Sequence, residues 1–173
     1  MFRLRNGELI FVPDSEHQER TCLLYLHGAL HLFRDREEVT HKDPNDGAED
    51  LLTRFETKRN WTTTTPLFVT EGTAADKLRN IRGSEYLSYA YNRFTTHQGS
   101  LVVFGCSLSD FDGHLASRIK AWPKQRIAVS IRPKDPNIKD TKARLRRALG
   151  WHHDLAFFDS TSHPLGSNAV CVG

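Results

Sequence analysis

Three short polar clusters in this sequence hold the residue types that acid–base or ligand chemistry needs, and each follows an apolar run. His27 and Gly28 follow CLLYL at 22–26, Glu71 and Gly72 follow LFVT at 67–70, and Gly105 and Ser107, with Asp110 and Asp112, follow LVVF at 101–104. An imidazole is the side chain best matched to proton transfer near neutral pH. A serine hydroxyl either donates to a bound ligand or attacks it, and glycines let a ligand approach the backbone closely. In open α/β sheets, ligands bind beyond the carboxyl ends of strands, where loops converge and helix N-termini present unpaired N–H groups. Other polar residues have structural explanations. Ser109 with Asp112 and Thr73 with Asp76 have the S/T-x-x-D capping spacing, and mark helix starts. His31 lies four residues beyond His27; on a strand or loop that spacing carries no chemistry, and His31 reads as structural. His152 and His153 are adjacent, so on a strand they face opposite ways and chelate one ion poorly. No metal is assigned.

The elements that must position these clusters are short. Apolar runs recur at 22–26, 67–69, 101–104, 127–131 and 155–158, with an edge-strand candidate at 9–12. Continuous hydrophobicity without polar alternation suits strands covered on both faces, the parallel-sheet pattern. Helix-like segments fall between them. Phe111, Leu115, Ile119 and Trp122 make one stripe over 110–122, and Leu145, Ala148 and Leu149 turn inward over 141–149, leaving a basic outer face read as solvated. Strands alternating with helices predict right-handed βαβ crossovers. The expected fold is therefore α/β, a three-layer Rossmann-like sandwich on a mostly parallel sheet of about five strands. A single domain is expected over 1–173, with 34–65 a polar excursion or lid carrying a weak helix near 51–58, and 160–173 a weakly ordered tail.

With 173 residues, 38% hydrophobic and 26% charged, the chain has an ordinary globular composition. A net charge of +3 is far from the concentrated positive field of a nonspecific nucleic-acid binder. No apolar stretch reaches the 18 or so residues of a membrane span, and three cysteines leave an odd thiol, so a cytoplasmic protein with buried, reduced cysteines is expected.

YLHGALHLF at 25–33, PLFVTEGTAADKLRNIRGSEYLSYAY at 66–91 and LVVFGCSLSDFDGHLASRI at 101–119 together resemble an uncharacterised bacterial branch of the sirtuin-like NAD-binding superfamily. That resemblance implies His27 as the catalytic base near the nicotinamide ribose. It implies NAD as cofactor, with Gly28, Glu71, Gly105 and Ser107 around the nucleotide, and Gly105-Cys106-Ser107-Leu108 standing in for a G-T-S-L segment. The implied activity is NAD hydrolysis or deacylation. No glycine-rich phosphate loop precedes His27, so the chain reads as the C-terminal portion of a larger, incomplete sirtuin-like domain, weakly active or inactive alone.

Two other readings compete. In an α/β-hydrolase-like serine esterase, Ser107 would be the nucleophile, with Asp135 or Asp140 and then His152 or His153 completing the order serine, acid, histidine. Gly105-Cys106-Ser107-Leu108-Ser109 nearly spells the G-x-S-x-G elbow, but Ser109 replaces its second glycine. Alternatively, a noncatalytic module would use its pocket or an exposed sheet edge to bind a partner, a missing N-terminal portion or a second copy.

Overall fold

The computed structural model describes residues 1–13, 21–44, 50–57 and 62–163. The chain divides into two compact units, Met1–Phe94 and Thr95–Gly173, and each has its own sheet.

In the first unit, β1 (Phe2–Arg5) and β2 (Glu8–Phe11) form a hairpin. Asn6 and Gly7 turn it at φ 50° and 85°, the left-handed pair that suits the strand twist of a two-residue loop. The unit continues with β3 (Gly28–Arg34), β4 (Thr40–Lys42), α1 (Leu51–Thr57), β5 (Thr65–Phe68), α2 (Ala74–Arg82) and α3 (Glu85–Thr95). The strands lie in the order β1-β2-β4-β3-β5, and every pairing is antiparallel. Helix α2 starts at a complete capping box between Thr73 and Asp76 and stops at Gly83. Leu32, Ile81, Tyr86 and Leu87 are fully buried, and the Phe11 and Tyr86 rings meet edge to face at 5.2 Å. Between β3 and β4, Asp35 accepts the Glu37 and Val39 N–H groups and takes the His41 ring nitrogen Nε2 at 2.8 Å. His41 is buried and stacks on Phe33.

In the second unit, β6 (Leu101–Val103), α4 (Gly113–Lys120), β7 (Arg126–Ile131), α5 (Ile138–Leu149) and β8 (Asp154–Asp159) follow in turn. The strands lie in the order β6-β7-β8, all parallel, with Val102 beside Ala128 and Ala128 beside Ala156. Each helix supplies the crossover that parallel pairing requires. Ile127, Val129 and Ile131 of β7 are buried, as are Leu115 and Ile119 of α4 and Leu145 and Leu149 of α5.

This architecture corrects the expectation of a Rossmann-like sandwich on one mostly parallel five-stranded sheet. The five-stranded sheet is antiparallel, because tight turns rather than helical crossovers join β1 to β2 and β3 to β4. Parallel pairing is confined to three strands. The run at 22–26 is not a strand: it is irregular chain leading to a turn, the strand beginning only at Gly28. Cys22 and Leu23 are exposed there, and the backbone is held by a bond from the Tyr25 N–H to the Tyr86 hydroxyl at 3.0 Å. The stretch 34–65, read as an excursion, contains β4 and the anticipated short helix, α1. Ser109 makes no side-chain cap; Asp112 N–H bonds its carbonyl instead, in a single 3-10 turn over Asp110–Asp112. Phe111 of the expected stripe is 64% exposed, whereas Leu115, Ile119 and Trp122 are buried. Cys106 is half-buried; Cys171 and most of the tail lie outside the described residues. Among the described residues no helix is long and apolar enough to cross a membrane.

Candidate functional site

The loops that leave the carboxyl ends of β6, β7 and β8 surround a cleft of about 850 Å³. Gly105 and Ser107 line it from the loop after β6, Ser130 from the end of β7, Arg132 and Lys134 from the loop after β7, and Arg144 from α5. Gly105 sits at φ 68°, where an L side chain is strained, and its N–H donates to the Ser130 hydroxyl at 3.2 Å. The loop after β7 is braced by Asp135, whose carboxylate accepts the Asn137 N–H and the Thr141 hydroxyl, each at 2.8 Å. Thr141 also lines the cleft, so the first turn of α5 opens beside it. The Asn137 side chain does not cap that helix; the Asp135 carboxylate stands at its start instead. The whole second unit is basic, with eleven lysines and arginines against six aspartates, a net +5.

Two of the anticipated site residues, Gly105 and Ser107, thus belong to this cleft. His27, Gly28 and Glu71 belong to the first unit. His27 is half-buried just before β3, its carbonyl accepting the Val69 N–H at 2.7 Å, and Glu71 is exposed in the bend before Thr73. These two flank the same end of the β3–β5 pair. Gly28 has a packing role: a Cβ there would overlap the Leu67 carbonyl oxygen, so only glycine permits β3 to run this close to β5.

Ser107 is not joined by the histidines of the hydrolase reading. It follows the carboxyl end of β6, whereas His152 and His153 precede the amino end of β8, and a six-residue strand spans roughly 20 Å. Both histidines serve the end of α4: His152 Nε2 donates to the Trp122 carbonyl at 3.0 Å and His153 Nε2 to the Ile119 carbonyl at 2.9 Å. His153 Nδ1 accepts the Gln125 N–H at 3.2 Å. Among the described residues no group of three or more His, Cys, Asp or Glu could hold a metal ion.

Sequence reasoning missed Ser130, Arg132, Lys134 and Arg144. The signal for Arg132 and Lys134 was present: they follow the apolar run IAVSI in the same way that Gly105 follows LVVF. Arg144 had none, since its partners are 36 and 37 residues away. A smaller cavity of about 450 Å³ lies within the first unit, lined in part by Tyr25, His31, Lys42 and Arg54. Burial, and then the Lys42 charge, push the His31 pKa below its ordinary 6.5, against an upward pull from Asp43.

Residues 11–165 match a family described as Domain of unknown function (DUF4917). No curated protein and no solved structure matches the chain. The resemblance to sirtuin-like proteins is therefore overturned: the matched family is a different one, and the strand that should deliver His27 does not form.

Proposed function

We propose that this chain, which belongs to the DUF4917 family of domains of unknown function, binds a phosphate-bearing small molecule of nucleotide size in the cleft of its second unit. The observation that carries the reading is that Arg132, Lys134 and Arg144 line one cleft, at the carboxyl ends of three parallel strands, together with Ser107 and Ser130. Arg132, Lys134 and Arg144 line the cleft with one carboxylate, that of Asp135; Asp135 is engaged by its own loop and Arg144 by the loop after β6. A ligand with two or more negative charges restores the balance. Hydroxyl and backbone donors satisfy phosphate oxygens. NAD and adenosine diphosphate both belong to this ligand class.

Isothermal titration calorimetry with adenosine diphosphate, NAD and inorganic phosphate tests the reading. Wild-type protein is expected to bind at least one of the nucleotides more tightly than phosphate alone, with affinity falling as salt rises. The double variant Arg132→Ala/Lys134→Ala should lose at least about tenfold, since a charge-assisted hydrogen bond contributes roughly 1.5–3 kcal/mol. No binding of any of the three by the wild type at millimolar concentration would end the proposal.

A further inference from the structure

Arg144 connects two parts of the cleft that are far apart in sequence. From α5 its two terminal nitrogens donate to consecutive carbonyls of the loop after β6, Nη1 to Leu108 at 2.7 Å and Nη2 to Ser107 at 2.8 Å. The loop they hold is under strain: Leu108 is buried and sits at φ 45°, a left-handed conformation unfavourable for leucine. Gly105, at the start of the same loop, is tied to β7 through Ser130. A trans peptide sets each carbonyl antiparallel to the following N–H. Anchoring the carbonyls of Ser107 and Leu108 therefore also fixes the N–H groups of Leu108 and Ser109. The neighbouring basic residues of α5 do something else, Lys142 and Arg146 lying over the Phe157 ring, and Arg147 being exposed.

We infer that Arg144 is a positioning residue: it holds the Gly105–Leu108 loop in the shape that receives the ligand, an inference that rests on the anion-binding reading of the same cleft. The planar guanidinium gives each carbonyl its own nitrogen in a fixed fork; a lysine keeps the charge on a single nitrogen with no such fixed geometry. Arg144→Lys therefore separates geometry from charge.

The test measures adenosine diphosphate affinity by calorimetry and the amide signals of Gly105–Leu108 by ¹⁵N-labelled NMR, in wild type, Arg144→Lys, Arg147→Lys and Arg132→Ala/Lys134→Ala. Arg144→Lys should bind about tenfold more weakly and displace the loop signals in the ligand-free protein, while Arg147→Lys behaves as wild type. Methylguanidinium added to Arg144→Ala should recover part of the lost affinity and return the loop signals toward their wild-type positions. Wild-type affinity and unmoved loop signals in Arg144→Lys would overturn the inference, yet leave the cleft standing if Arg132→Ala/Lys134→Ala still loses binding. Weaker affinity with unmoved loop signals would make Arg144 a direct ligand contact and also overturn the positioning role. Absence of binding by the wild type would remove the anion-binding reading itself. Should Arg144→Lys not fold, Arg144→Gln in the same assays decides between the same results.

Discussion

Replacing Gly28 with alanine tests how the first unit is assembled. Gly28 sits at φ 78°, so any L side chain costs about 1 kcal/mol or more in backbone conformation alone. A Cβ would in addition overlap the Leu67 carbonyl oxygen and lie 2.7 Å from its carbon and 2.8 Å from Phe68 Cα. Those are backbone atoms of the paired strand β5 and cannot rotate away. Relief requires β3 and β5 to part, and overpacking of this kind costs roughly 1–3 kcal/mol. The sum, about 2–4 kcal/mol, is a large share of the stability of a typical domain, roughly 5–15 kcal/mol. Gly105→Ala is the control: its φ of 68° is similar, but nothing lies within 4 Å of the added Cβ, so only the conformational part, about 1 kcal/mol, should appear. Urea unfolding followed by circular dichroism measures both. Hydrogen exchange at the Val69 amide, bonded to the His27 carbonyl, should accelerate in Gly28→Ala alone. Equal stability of the two variants would refute the close-approach argument and reopen a ligand role for Gly28.

Two further outcomes follow from the histidines. Because burial lowers the His31 pKa below 6.5, the unfolded chain takes up this proton first on acidification; the stabilisation is complete above about 6.5 and declines as pH falls through the lower folded value. His31→Gln should flatten the dependence of the urea midpoint on pH between 7.5 and 4.5, and an unchanged slope would contradict the assignment. His153→Ala should lose about 2–4 kcal/mol, since it leaves the Ile119 carbonyl and the Gln125 N–H without their partner and opens a cavity at a buried site. A loss below about 0.5 kcal/mol in thermal or urea unfolding would contradict its structural role.

How much of this was legible depends on the range of the interactions. The runs at 9–12, 67–69, 101–104, 127–131 and 155–158 each overlap a strand, but local hydrophobicity did not report the expected cover on both faces: Val102 of β6 is 58% exposed and β8 has no buried residue. Hydrophobicity does not report direction either. The antiparallel sheet arises from turns, and one of them, Asn6-Gly7, was an available hairpin signal. The run at 22–26 misled because hydrophobicity alone does not say whether a backbone is paired; that segment is held by the Tyr86 hydroxyl, 61 residues from Tyr25. The capping spacing of Thr73 and Asp76 led to a real box, whereas the same spacing at Ser109 and Asp112 did not; in the second case the loop enters a 3-10 turn. At the cleft, Gly105 and Ser107 were readable from their place after a strand. The basic face of α5 looked like a solvated surface, and the engagement of Arg144 with the loop could only come from the tertiary fold.

The most direct test of the central claim is a ¹H–¹⁵N NMR titration of the full chain with adenosine diphosphate. Concentration-dependent shifts are expected, concentrated at Gly105, Ser107, Ser130, Arg132 and Lys134, around the carboxyl ends of β6 and β7. Shifts concentrated instead around His31 and Lys42, or no shifts at millimolar ligand, would contradict it.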